Sequence, residues 1–202
     1  PMTTAERHLP RTWLTPITAA DIEKLRLWRN LPRVRTNSFD QREISSDEQQ
    51  RWFAGLAGDS SRRYLLFGQN DKAIGCLSFT AITATSAHWG CYLGEEQVWP
   101  GTGLLIEIAA LDYAEQMLGL ATLHAEVLAH NPGPAKVHRL FGYTEGEPRQ
   151  HRFADGREEQ VLCFSYPLGH WTIRRPRVLA SLPSSVQEAA DQIYLQPFTS
   201  RG

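Results

Sequence analysis

The chain is poor in lysine: of 21 basic residues in 202, only Lys24, Lys72 and Lys136 are lysine. It has no excess of one charge either, with 21 basic against 22 acidic residues and a net charge of −1. That balance gives no support for nucleic acid or a membrane surface as the main partner. Arginine grips phosphate through a bidentate fork, although genome composition accounts for the arginine bias more simply. Cysteine is scarce and odd in number. Cys76, Cys91 and Cys163 all lie in apolar, strand-like runs and read as buried free thiols of a reducing compartment, not as a disulfide framework. No apolar run reaches membrane-spanning length and no signal-peptide pattern is evident, so a cytoplasmic location is expected. There are no repeats and no low-complexity tracts.

What is present is the composition of a soluble globular protein, 42% hydrophobic and 21% charged. The length suits one domain, or a domain with an extension. Residues 10–17 read as a first strand. Thr18-Ala-Ala-Asp21 has the spacing of a capping box, and Ile22, Leu25 and Trp28 then recur at helical intervals. The arginine-rich stretch 29–35 is aperiodic and reads as loop or short helix; it is either a solvated charged face or a site for an anionic substrate. Ser45-Ser-Asp-Glu48 is a second capping box, opening a helix with Trp52, Phe53 and Leu56 on its apolar face. Strands over 63–68 and 73–82 flank the turn Asn70-Asp-Lys72, and a third follows over 87–94.

The stretch from Trp89 to Tyr143 organises the rest. A strand leads to Trp99-Pro-Gly-Thr-Gly103, then to a helical pattern over 104–118 in which Leu104, Ile108, Leu111 and Leu118 form one stripe facing the sheet. A strand over 120–129 and a short helix over 134–141 follow. Strand, glycine turn, helix, strand is a parallel crossover unit. Its turn exposes backbone N–H groups at a helix N-terminus, a site that favours phosphate. A hairpin of 145–153 and 159–167 closes the pattern. The predicted fold class is mixed α/β: a mostly antiparallel sheet with helices on both faces. After Gly169, Arg174-Arg-Pro-Arg177 reads as irregular and 184–194 as one amphipathic helix. This tail either packs on a partner subunit, giving a homodimer, or stays loose.

Gly101-Thr-Gly103, followed by Asn131, Ala135, His138, Gly142 and Tyr143, resembles the Gcn5-related N-acetyltransferases, whose signature is a Q/R-x-x-G-x-G/A loop and, about thirty residues on, N-x-x-A-x-x-x-Y-x-x-x-G-F. Val98 departs from the Gln or Arg expected at its position, and His138 from the Tyr. The resemblance implies a sheet whose two central strands splay apart, with acetyl-coenzyme A in the gap, and a domain over 1–168 with an extension over 169–202. It implies coenzyme contacts from Tyr92, Leu93, Gly94, Val98, Gly101, Thr102, Gly103, Leu104, Asn131, Ala135, Val137, His138 and Arg139. A backbone N–H near Tyr92 would stabilise the developing oxyanion. His138, at the position of the family tyrosine, would be the general acid, or else a helix histidine that only packs. Glu126, inside an apolar strand, is the candidate base, or else a solvent-facing charge. His88 and His124 are further candidates, and His124, His130 and His138 make no convincing metal set, so no metal is expected.

The N-terminal third narrows the resemblance. Leu25-Arg-Leu-Trp-Arg-Asn30, Val34-Arg35, Ile44-Ser45 and Trp52, with Trp89-Gly-Cys-Tyr-Leu93 and Gly169-His-Trp171, are similar to the nucleotide-sugar acetyltransferases of pseudaminic acid biosynthesis. That group acetylates the 4-amino group of a UDP-linked 4-amino-4,6-dideoxy sugar, a precursor in flagellin glycosylation. By this resemblance Arg29, Asn30, Arg35, Phe39, Gln49, His88 and Trp89 face the nucleotide sugar. Another transferase of the same fold, acting on a protein N-terminus or a small amine, and a non-catalytic coenzyme-binding domain are the rival readings.

Overall fold

Alternation with period two writes the sheet. Along each central strand one set of side chains enters a large apolar cluster with the long helix, and the other set enters smaller clusters on the opposite face. The computed structural model describes residues 8–198. In chain order its elements are β1 (Thr12–Pro16), α1 (Ile22–Arg29), α2 (Pro32–Arg35), α3 (Ser46–Leu56), β2 (Arg63–Gln69), β3 (Lys72–Thr80), β4 (Ser86–Leu93), α4 (Thr102–Gln116), β5 (Thr122–Leu128), α5 (Pro132–Phe141), β6 (Thr144–Glu145), β7 (Arg149–Arg152) and β8 (Glu158–Pro167). A 3₁₀ turn, Leu168–His170, then leads to α6 (Trp171–Ala180), α7 (Ser184–Ala190) and β9 (Tyr194–Leu195). The sheet order is β6-β8-β5-β4-β3-β2-β1-β9, with β7 also paired to β8. The expected mixed, mostly antiparallel sheet is thus present.

The parallel pair at the centre is short. β4 and β5 pair only from Ser86↔Thr122 to Trp89↔Ala125. Both strands run on, β4 to Leu93 and β5 to Leu128, so their far ends diverge and leave a gap in the middle of the sheet.

Several local expectations need correction. Thr18–Asp21 closes a turn of its own: the Asp21 carboxylate accepts from the Thr18 backbone N–H at 2.8 Å and its hydroxyl at 3.1 Å, and α1 starts only after Asp21. Ser45, by contrast, caps α3 by accepting from the Glu48 N–H at 3.2 Å. The helix α4 does not bury one stripe but every residue from Leu105 to Ala114, because the sheet covers one side and α5, α7 and the 3₁₀ turn cover others. Pro148, which cannot donate to a ladder, lies between β6 and β7 and divides the strand expected over 145–153.

The tail departs furthest from expectation. Residues 174–177 are helical, inside α6, and Pro176 is exposed there, where water can take the acceptor that its missing N–H leaves. Trp171 is fully buried; its indole N–H donates to Asp112 of α4 at 2.7 Å, and Arg175 pairs with the same carboxylate. The single helix expected over 184–194 stops at Ala190, and β9 adds to the sheet edge parallel to β1. The tail therefore packs on its own chain.

Candidate active site

The gap between β4 and β5 opens into a cleft of about 590 Å³ whose walls come from both faces of the sheet. One end is lined by α4 and α5, including Gly103, Glu107, Asn131, Gly133, Val137 and His138. The other is lined by Arg29, the 37–40 loop, Tyr64, Cys76 and Ser78, with Trp89, Cys91, Tyr92 and Glu126 between them. A ligand threading the sheet would touch both sets.

The first end is shaped for close approach. Side chains are missing where the cleft passes Gly90, Gly103 and Gly133, and a Cβ at any of the three would meet no atom within 4 Å. The protein's own packing does not require glycine there, so the space is left for something else. Gly101 differs. Its φ of +96° is left-handed, and a Cβ there would stand 2.8 Å from both Trp99 and Val186. This residue makes the turn into α4, and Thr102 behind it points inward, donating its hydroxyl to the Trp99 carbonyl at 2.6 Å.

His138 lines the first end, with a partner that the sequence reading missed. Its Nδ1 lies 2.5 Å from Glu107 Oε1, and the two side chains are 5% and 4% exposed. Trp89, Tyr143 and Phe164 wall the imidazole at centroid distances of 5.6, 4.8 and 5.2 Å. The Trp89 indole donates to the Tyr143 hydroxyl at 3.1 Å, which fixes that wall. Burial raises the Glu107 carboxyl above its ordinary range and raises the Tyr143 phenol well above its own. A lone acid in the apolar run Leu104-Leu-Ile-Glu-Ile-Ala-Ala-Leu111 was the available signal for Glu107.

At the second end Arg29 is the group out of balance. Its Nη2 donates to the Asp40 carbonyl at 2.5 Å, while its Nη1 is buried with no hydrogen-bond partner. Burial lowers the pKa of this guanidinium. Glu126 is held by Arg149, with 2.5 Å between Nη2 and Oε2, and that hydrogen bond keeps its carboxyl below the usual range. Phe39 lines the wall and packs edge-on against His151. Tyr64 and Tyr92 have phenols raised by burial, so both remain neutral donors. Cys91, expected to be a buried thiol, is instead exposed and opens on the cleft, while Cys76 is buried and Cys163 only partly so.

Other expected site residues serve elsewhere. Asn30 uses both its amide atoms on the Ile44 backbone, at 2.8 Å each, and holds the 36–45 loop. Gln49 is buried and donates to the Ile22 carbonyl. Arg35 lies near Glu43, and Arg139 pairs with Glu145. The Leu93 and Gly94 carbonyls accept from Arg33, and Gly94 packs on the Trp28 ring. Val98 and Leu104 pack on the core, and Ala135 is buried in it. His88 stacks on His124 across the β4–β5 ladder at 5.0 Å. His124 is lowered by burial and by His88, while His130 is bound to Glu159 and Asn37. Among the described residues no group of His, Cys, Asp and Glu could hold a metal ion, and no helix is long and apolar enough to cross a membrane.

Residues 11–144 match the acetyltransferase (GNAT) domain family. The chain belongs to the GNAT acetyltransferases. It is accordingly an acetyl-CoA-dependent N-acetyltransferase of the GNAT type, and the splayed strands and glycine turn fit that fold. Among curated relatives it is similar to the acetyltransferase PseH of Campylobacter jejuni strain 81-176, 31% identical over 131 residues that span 64% of this chain and 81% of that protein. Among solved structures, the spermidine N-acetyltransferase of Vibrio cholerae in complex with CoA and spermine matches with a TM-score of 0.74 and 19% identity, covering 80% of this chain and 98% of that one. The C. jejuni PseH structure with acetyl coenzyme A matches with a TM-score of 0.59 and 21% identity, covering 77% and 98%.

Proposed function

We propose that this GNAT enzyme transfers acetyl from acetyl-CoA to the 4-amino group of a UDP-linked 4-amino-4,6-dideoxy-N-acetylhexosamine, a step of the pseudaminic acid route that serves flagellin glycosylation. The observation that carries the reading is Arg29, a guanidinium buried at the acceptor end with one nitrogen unpaired. Such a group calls for an anionic or strongly accepting partner, which the diphosphate or sugar oxygens of a nucleotide sugar provide. A polyamine is the poorer fit, since a polycation gains nothing from a buried arginine. The PseH relatives and the likeness of the N-terminal third point the same way. Both substrates are cytoplasmic metabolites, so the cytoplasm is where the enzyme would act.

Acetyl-CoA supplies the acetyl group as a thioester. The open space at Gly90, Gly103 and Gly133 fits a long, thin ligand against bare backbone, and Gly103 at the start of α4 suits its pyrophosphate, whereas the Thr102 N–H is already taken by the Trp99 carbonyl at 3.0 Å. Asn131, at the N-terminus of α5, and Val137 flank the same path. The β4 backbone beyond Trp89, which β5 no longer pairs, is free to orient the pantetheine and to donate near Tyr92. His138 holds a proton beside the cleft for the leaving sulfur. Glu126 faces the incoming amine. Because Arg149 lowers its basicity, it suits attracting an ammonium, with proton removal direct or through water.

Thermal-shift measurement with acetyl-CoA, UDP, a UDP-sugar and spermidine tests the assignment. A ligand at 100 times its dissociation constant stabilises by about 2.7 kcal/mol. Shifts with acetyl-CoA and UDP but not spermidine are expected; a shift with spermidine and none with UDP would overturn the acceptor.

A further inference from the structure

The family resemblance leaves His138 as a departure from tyrosine, and the buried acid beside it has no counterpart in that pattern. Glu107 is a carboxylate in the middle of an all-apolar helical run, 3% exposed, and His138 is 4% exposed. Burying a carboxylate is costly unless it is paired. The pairing found is specific. Nδ1 of His138 faces Glu107, and Nε2 has no hydrogen-bond partner among the described residues while the side chain lines the cleft.

We propose that Glu107 is the positioning residue for His138: by binding at Nδ1 it keeps the transferable proton on Nε2, the nitrogen left for the cleft. The assignment rests on the acetyl-transfer reading above.

The chemistry follows from the two possible places of the shared proton. With the proton on nitrogen, an ionised Glu107 accepts from Nδ1–H, and the imidazolium still carries Nε2–H. With the proton on oxygen, Glu107 donates to a bare Nδ1, and the neutral imidazole again carries Nε2–H. In both cases the loaded pair is net neutral, so a low-dielectric site tolerates it. Overall the C–N bond forms, the C–S bond breaks and the sulfur takes the Nε2 proton. The pair is left as an ionised Glu107 accepting from Nδ1–H. The amine nitrogen loses one proton to Glu126 or water, and solvent reloads Nε2. Tyrosine needs no such partner, since its hydroxyl is both the donor and the reloaded group.

The groups facing the imidazole are few. α4 contributes Glu107, the residues after α5 contribute Tyr143, β4 contributes Trp89 and β8 contributes Phe164. Arg139, over the Phe164 ring at 5.6 Å, is paired with Glu145. Among the described residues Glu107 is thus the only carboxylate bonded to the ring, and Glu107→Gln keeps its shape while removing its charge.

The test combines ¹⁵N-histidine NMR of the full chain with single-turnover kinetics against pH, using acetyl-CoA and the nucleotide amino sugar. In the loaded wild type the ¹⁵N shifts should show His138 Nε2 protonated and Nδ1 hydrogen-bonded to Glu107. With Glu107→Gln no acid fixes the shared proton, so the neutral imidazole should divide between its two tautomers. The rate at neutral pH should drop by roughly 10–100-fold, as when a histidine loses its outer partner, with acetyl-CoA affinity little changed. A bare Nε2 in the loaded wild type overturns the proposal, even if Glu107→Gln fails to fold. An unchanged Nε2–H tautomer and rate in a folded Glu107→Gln overturns it too. Full single-turnover activity in His138→Phe would remove the acid role itself, and this one with it. Absence of any wild-type turnover would instead contradict the reading on which both rest.

Discussion

At position 103 the backbone is ordinary helix and the surrounding space is empty, so Gly103→Val should fold normally. Its branched side chain would stand where the pyrophosphate approaches. Acetyl-CoA affinity should fall at least tenfold, about 1.4 kcal/mol, as read by calorimetry; unchanged affinity would move the coenzyme elsewhere. Arg29→Ala removes a side chain that lines the acceptor end and carries a buried, unpaired nitrogen. It should raise KM for the nucleotide sugar and leave KM for acetyl-CoA nearly alone, and steady-state kinetics with each substrate varied in turn decide it. The sequence placed Arg29, Phe39, Trp89, Tyr92, Glu126 and His138 on what proves to be one cleft. Asn30, Gln49 and Arg35 fell in the same motif but turn to the backbone or to other neighbours. Nothing in a residue's type tells which of two faces of a short helix or loop it takes. Glu107 was visible only as a misfit in an apolar run, since the pairing that explains it lies 31 residues away.

The same contrast holds for whole elements. The strands, their hairpin turns and the crossover helix were legible because period two, period 3.6 and glycine turns agree with one another along them. The tail was not. Its basic Arg174-Arg-Pro-Arg177 run looks like loop, yet Trp171 and Leu179 on either side bury and pull the segment into α6. Tertiary packing overrode propensity there. The tail then bears on the site, because Val186 of α7 touches the space beside Gly101 at the turn into α4. Gly101→Ala would meet both that contact and a left-handed φ, and should destabilise by about 1–3 kcal/mol while weakening acetyl-CoA binding. Trp171→Ala should cost about 3–5 kcal/mol, read by urea denaturation. A loss below about 1 kcal/mol would mean that α6 is not anchored on α4 as described.

For the molecule as a whole, one feature governs function: a sheet interrupted at its centre, so that one cleft joins a glycine-smoothed end to an end with an unpaired buried arginine. The donor end follows from the fold, which the GNAT family match covers through residue 144. The acceptor end draws Arg29 and the 37–40 loop from before β2, with Tyr64, Cys76 and Ser78 from β2 and β3, and it decides what the enzyme is for. The direct test is to incubate the protein with acetyl-CoA and, in parallel, a UDP-4-amino-4,6-dideoxy-N-acetylhexosamine, spermidine and a short peptide with a free N-terminus, and to follow products by mass spectrometry and NMR. The account predicts one acetyl group added to the 4-amino nitrogen of the nucleotide sugar, with the polyamine and the peptide left unmodified under the same conditions. Acetylation of spermidine or the peptide, with the nucleotide sugar untouched, would contradict it.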